Sequence, residues 1–297
     1  MSQVSPIVAN SLNAVMCGLM SFGLLMTPQK FMQGGQYQHA WFKNIPERRD
    51  DQLFYLAQFM AFIMLGGCVI PTIIQPNSIL LCYQMAVIHG INILHTFIFL
   101  CPCSSAYMEA RPKNDNSYAQ WGFMTVVSIA FFIITIVACL NDSVSVIDSR
   151  STLVSKTVAN IVMLAFSSVF GIMFIIIPKY ILSAFWSDNT LQGNPKICGF
   201  NIFTPTAHQY WWSRCMGVAI LGLNIGLGIS RNIQHPLYTL SSLIIVSCLT
   251  LFNIHQVIMR PYRSISDLQI RMSWIPNIVM SLAVVAVMIC AHVQTAS

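Results

Sequence analysis

The sequence predicts an all-α fold: a polytopic integral membrane bundle of eight transmembrane helices, built from two parallel four-helix repeats. Three observations predict it. Charged residues are only 8% of the 297 and hydrophobic residues 56%, whereas a soluble domain carries about 25% charged residues. The apolar residues gather into eight runs, 8–28, 53–75, 78–101, 121–140, 155–178, 210–229, 234–257 and 272–292, each long enough to cross about 30 Å of hydrocarbon as a helix. Anchors also recur between the halves. Val8-Ala9-Asn10 with Pro28 returns as Val158-Ala159-Asn160 with Pro178, at an offset of 150, and Pro76 with His95 returns as Pro236 with His255, at 160.

The runs are continuously apolar and do not alternate in and out, as membrane strands would. Residues 1–7 hold no Lys or Arg, so the first run reads as a retained span and not as a secretory signal. It ends at Pro28, which cannot continue a helical hydrogen-bond ladder. The segment after it carries Phe31, Tyr37, Trp41 and Phe42, aromatic residues that favour the headgroup level. Pro46-Glu-Arg-Arg-Asp-Asp51 reads as a solvated helix start. The second run contains Gly66 and Gly67; the third stops near Pro102; the fourth closes a first module over 1–140.

A short outer linker, 141–154, leads to the second module, 155–297. Its first helix ends at Pro178 and is followed by Tyr180, Phe185, Trp186, Phe200 and Phe203, again expected on the membrane surface. The second helices align at an offset of 156 through Met60/Met216, Leu65/Leu221 and Gly66/Gly222. Gly222-Leu-Asn-Ile-Gly226 is a small-xxx-small pattern that admits a close helix neighbour, expected within the bundle, with homodimerisation as the alternative. The seventh run stops near Pro261. Four spans per repeat make the copies parallel, related by an axis along the membrane normal.

The segment Arg214-Cys-Met-Gly217-Val-Ala-Ile-Leu221-Gly222-Leu223, after a helix that stops at Pro178, resembles small four-helix membrane proteins of the DoxX-like kind, in which an Arg precedes a Gly- and Leu-rich second span. The first half departs from this, with Gln58 in place of the Arg and Ala61 in place of Gly217. The resemblance covers the first two helices of each module. It implies a duplicated four-helix bundle and no particular activity, because that group is functionally mixed.

Basic residues set the expected orientation. Both termini share a side with Arg150, Lys156 and Arg231, while the loops 29–52, 102–120, 179–209 and 258–271, together with Arg214 at the adjoining helix end, hold twelve Lys or Arg. Twelve against three places those loops in the cytosol, or in a matrix or stroma, with both termini on the outer side. This bias accounts for the net charge of +6, so no nucleic-acid partner is needed. Cys101, Cys103 and Cys198 fall on the cytosolic side, where thiols stay reduced, and no disulfide framework is expected. The sequon Asn141-Asp142-Ser143 lies on the outer side, too close to the membrane to be used.

No span carries an acidic residue or a Lys in its middle. Such a charge usually marks an ion path, and its absence argues against a carboxylate-driven pump, a sodium-coupled carrier or a retinal Schiff base. The polar groups within the membrane are His, Asn, Ser and Thr. In the third helix His89, Asn92 and Thr96 follow i, i+3, i+7 spacing and share one face, with His95 beside them. In the seventh, Ser247, Thr250 and Asn253 form a comparable stripe, with His255 near its end. Parallel repeats would place His95 and His255 at similar depth.

Three readings follow. The stripes make interhelical hydrogen bonds, worth about 0.6 kcal/mol each. Alternatively His89, Asn92, Thr96, Ser247, Thr250 and Asn253 line a cleft for a lipid or small neutral solute. Or His95 and His255, with His89 as a substitute, ligate a haem or other tetrapyrrole. There is no Gly-rich phosphate loop, HExxH or GxSxG, and no metal or catalytic residue set. The expectation is a non-catalytic multi-pass membrane protein, a structural or accessory subunit of a larger complex whose partners are lipids and other membrane subunits. A lipid or solute transporter or binding protein, and a haem- or pigment-binding protein, are the alternatives.

Overall fold

The structure is a computed structural model. It describes residues 4–28, 51–101, 115–140, 152–186, 196–197, 200–202, 204–259 and 265–293. The surface segment 29–50, the acidic–basic stretch before Asp51, the sequon at Asn141, Cys103, Cys198 and Phe203 lie outside the described residues.

Among the described residues, eight helices are long and apolar enough to cross a membrane, and the chain is a multi-pass membrane protein. α1 runs Pro6–Met26. α2 runs Asp51–Met64, passes through a π-helical turn at Leu65–Val69 and ends with Ile70–Ile74. α3 is Ile79–Leu100, α4 Asp115–Cys139 and α5 Lys156–Ile176. The short α6, Pro178–Phe185, precedes a two-residue strand pair, Lys196–Ile197 with Phe200–Asn201. α7 is Ala207–Ile229 and α8 Pro236–Met259. α9 starts at Asp267–Gln269, passes through a second π-helical turn at Ile270–Trp274 and ends with Ile275–Cys290. An apolar solvent leaves backbone groups no partner outside the segment, which is why each crossing closes its own helical ladder.

The ends are set by side chains. Ser5 and Ser155 cap α1 and α5, accepting from Val8 N at 3.4 Å and Val158 N at 3.3 Å. Thr206 with Gln209, and Ser266 with Gln269, form reciprocal capping boxes at the starts of α7 and α9, each satisfying two otherwise orphaned groups. α1 buries Ala9, Asn10, Asn13, Cys17, Ser21 and Leu24; α5 buries Ala159, Asn160, Met163, Ser167, Gly171 and Phe174. Each position in the second set lies 150 residues after its counterpart in the first. Asn10 Nδ2 donates to the carbonyls of Pro76 and Ser78 between α2 and α3, and Asn160 Nδ2 to that of Ile233 between α7 and α8.

α2 and α7 form the centre. Of the residues in their most apolar stretches 56% and 67% are buried, against 11% for α4, so α4 forms the outermost wall. The halves interlock instead of standing as separate bundles. α7 packs against α5 of its own half, and against α3 and α2 of the other; α2 in turn reaches α8. Glycines make these approaches possible. A Cβ at Gly66 of α2 would lie 2.6 Å from Ile245 Cγ1 of α8, and one at Gly222 of α7 would strike Ile88 of α3. The Gly222/Gly226 pattern is thus used within the chain, against α3.

Two expectations are corrected. Trp186 was placed at the headgroup level, but it is 1% exposed and lies in an aromatic cluster with Tyr55 and Trp274. Cys101, expected as a reduced thiol, is disulfide-bonded.

The start of α8 carries a titratable cap. The His235 carbonyl accepts from Tyr238 N and Thr239 N, and its Nδ1 from Leu237 N at 3.3 Å. Burial lowers its pKa from 6.5 to about 4, so the ring is neutral and Nδ1 is free to accept. Between those two values the unfolded chain binds the proton and the folded one does not. This contribution to stability is therefore complete above pH about 6.5 and lost as pH falls towards 4. Asn is also a good capping residue and does not titrate. The wild-type melting temperature in detergent should fall over this interval more than that of His235→Asn. Parallel pH curves for the two proteins would refute the assignment.

Candidate ligand cavity

A cavity of about 290 Å³ lies between α1, α2, α3, α4 and α7. His89, Asn92 and Thr96 all line it, as their shared helical face requires. Thr96 Oγ1 donates back to the Asn92 carbonyl at 2.9 Å. Among the described residues, Asn92 Oδ1 and Trp212 Nε1, on two residues of the cavity wall, are buried and find no hydrogen-bond partner.

His89 is held from behind by α1. Asn13 Nδ2 donates to the Ala9 carbonyl at 3.0 Å and to Thr135 Oγ1 at 3.2 Å, and Thr135 Oγ1 donates to the Phe131 carbonyl at 2.6 Å. Asn13 Oδ1 is then the acceptor that faces His89 Nε2 at 2.7 Å. An amide oxygen can only accept, so the network assigns the proton of a neutral His89 to Nε2. With its proton directed at Asn13, His89 Nε2 has no lone pair to offer a haem iron.

His95 is buried, stacked on Trp211 at 5.6 Å between ring centres, with Nδ1 3.4 Å from Cys215 Sγ. His255 is exposed on the outer face of α8. The two histidines thus face different surroundings, one inward and one outward. The stripes also diverge. Asn253 Oδ1 accepts from Tyr55 Oη at 2.6 Å and belongs to a second cavity of about 80 Å³ among α2, α5, α7, α8 and α9. Thr250 is buried and bonds the Val246 carbonyl at 2.6 Å; Ser247 is half-buried, and neither lines either cavity. The second cavity is bordered by a network in which Asn224 Oδ1 accepts from Tyr238 Oη at 2.7 Å and Asn224 Nδ2 donates to Ser168 Oγ at 2.9 Å.

Sequence reasoning missed Asn13 and the sulfur-bearing wall. Met16, Met20, Met60, Met64, Met85 and Met124 line the larger cavity. A signal existed: 16 with 20 and 60 with 64 are i, i+4 pairs, and Asn10, Asn13 and Cys17 fall on one face of α1. Among the described residues no charged side chain lines the cavity, and no three of His, Cys, Asp and Glu converge as a metal site. The wall can bind and orient a molecule, but it offers no acid–base pair. No protein-family model matches this chain, and no curated protein or solved structure does so at a significant level.

Proposed function

We propose that this protein is a non-catalytic membrane protein that binds a small, neutral, mostly apolar molecule in the larger cavity. The observation that supports this reading is the cavity itself. At about 290 Å³ it stands at the lower end of small-molecule sites, which run about 300–1,000 Å³ and combine apolar walls with a few polar groups. Methionine walls adapt to irregular shapes, while His89, Asn92 and Thr96 supply the polar seam. The reading narrows the expected two-stripe cleft to one stripe.

The test uses Ala219, a residue of α7 that lines the cavity and is 4% exposed. Ala219→Phe should fill the space. A small molecule extracted in near-stoichiometric amount from gently purified wild type should be absent from the variant, with the fold retained by size-exclusion profile. Equal amounts in both proteins, or none in wild type, would overturn the reading. A Soret band that survives washing would instead favour the tetrapyrrole alternative.

A role as an accessory subunit is the second reading, favoured by α4, whose Phe123, Val126 and Ile133 are all more than half exposed. It calls for partners at fixed stoichiometry in mild detergent. The matched buried positions of α1 and α5, and the paired roles of Asn10 and Asn160, support an internal duplication of the DoxX-like kind. Termini on the outer side follow from the basic loops, and cysteine labelling from each side of sealed membranes tests this.

A further inference from the structure

The sulfur in the cavity wall is concentrated far beyond its share of the chain. Met and Cys number 17 and 10 among 297 residues, about one in eleven, yet they supply nine of the 22 lining residues. Apolar filling alone would draw equally on Leu, Ile and Val, which are more abundant and define shape better. Within the wall, three helices bring sulfur to one place. Cys17 of α1, Cys68 of α2 and Met85 of α3 are 3%, 3% and 4% exposed and pack as one cluster, flanked by Met16 and Met64.

Cys68 lies in an irregular stretch of α2. It sits in the π-helical turn Leu65–Val69, where Gly66, Gly67 and Cys68 are all buried in succession. Isolated π turns within α-helices are frequent at functional sites.

We propose that Cys17, Cys68 and Met85 form a binding site for a soft monovalent cation, copper(I) or its analogue silver(I). Thiolate and thioether ligands select such ions over hard ones. A site for zinc would call for four ligands of the Cys, His and carboxylate kinds, and among the described residues no three of these converge. Charge also fits. On binding, one thiol gives its proton to solvent and becomes a thiolate. A thiolate, neutral sulfurs and a monovalent cation leave the centre neutral, which avoids the cost of a net charge within the membrane. The proposal goes beyond the neutral-molecule reading and does not rest on it.

The test loads purified full-length protein with copper(I) alone under reducing, oxygen-free conditions, against a competing copper(I) chelator that strips isolated thiols. About one ion per chain should be retained, with only sulfur neighbours by X-ray absorption. Cys68→Ser should lower retention by at least about tenfold, the scale on which even ligand-supporting residues act, and Met85→Leu should lower it less. Cys82→Ser and Cys248→Ser should leave it unchanged, since Cys82 donates to Asn10 Oδ1 at 3.2 Å and neither residue lines the cavity. If Cys68→Ser does not fold, Met64→Leu with Met85→Leu removes thioethers at nearly constant volume and must still weaken retention. No retained copper, nitrogen or oxygen neighbours alone, or equal loss in the two control variants would overturn the site. Because Ala219 is not a ligand, loss of the extracted small molecule in Ala219→Phe with copper retained would separate this result from the fate of the neutral-molecule reading.

Discussion

Gly226→Ala should cost more than about 3 kcal/mol, beyond the usual range for one added methyl group in a packed core. A Cβ at this position would lie 2.6 Å from Gln84 Cα and 2.7 Å from Gln84 N. These are backbone atoms of α3 and cannot rotate away, so α3 and α7 must separate along a principal contact of the bundle. In a membrane the lipid tails are as apolar as the side chains, and helix association depends on close van der Waals fit. Lost fit is therefore not offset by renewed burial. Two residues on, Gly228 has nothing within 4 Å of the corresponding Cβ. Gly228→Ala should be neutral, or stabilise by up to about 1 kcal/mol through helix propensity. Melting in mild detergent should place Gly226→Ala about 6–12 °C below wild type, with Gly228→Ala at or above it. A Gly226→Ala protein that melts within a degree or two of wild type would show that the helices are not in backbone contact.

The spans were legible because hydropathy and helix closure are the same constraint in a bilayer. The run 53–75 became Gln52–Ile74, and 121–140 became Trp121–Cys139. Starts were less legible where polar capping residues replace apolar ones. α7 begins at Ala207, three residues before the run at 210, because Thr206 and Gln209 close a capping box. Likewise α9 begins at Asp267 behind Ser266 and Gln269. Neighbour relations were not legible at all. Apolar faces all look alike to a sequence, so Gly222 and Gly226 announced a close approach without naming α3. The π turns at Leu65–Val69 and Ile270–Trp274 leave no periodic trace, since one extra residue shifts the phase of the pattern only locally.

The site was legible in part for the same geometric reason. His89, Asn92 and Thr96 line one wall because i, i+3, i+7 spacing fixes a face whatever the tertiary structure. The histidine pair needed more than depth. Parallel repeats would place His95 and His255 at comparable heights, but facing depends on how each helix is rotated against its neighbours. α3 turns His95 onto Trp211, while α8 turns His255 outward. The methionines passed for core filler, because nothing in a sequence tells a residue beside a cavity from one beside another side chain.

Trp274→Ala should be the other severe lesion, and the comparison with Trp274→Phe shows why. Trp274 is fully buried, placed inward by the second π turn. Its ring meets Tyr55, Phe185 and Trp186 edge-on at 5.5, 5.3 and 5.6 Å. Its Nε1 donates to the Phe185 carbonyl at 2.8 Å, which fastens α9 to the end of α6. Tyr55 then carries the contact onward, stacking on Phe252 at 5.2 Å and donating to Asn253. Truncation to Ala removes a large buried ring, a change that costs about 3–5 kcal/mol. It also strands a carbonyl whose desolvation is worth about 1–3 kcal/mol. The two do not simply add, because both act on one cluster. Phe would restore most of the ring contacts but not the donor, so its cost should fall near the carbonyl term alone. Melting temperatures in the order wild type, Trp274→Phe, Trp274→Ala, with the larger step at the second change, are expected. If Phe is as damaging as Ala, the hydrogen bond to Phe185 and not the ring contacts holds α9 in place, and the aromatic cluster is a consequence of that docking.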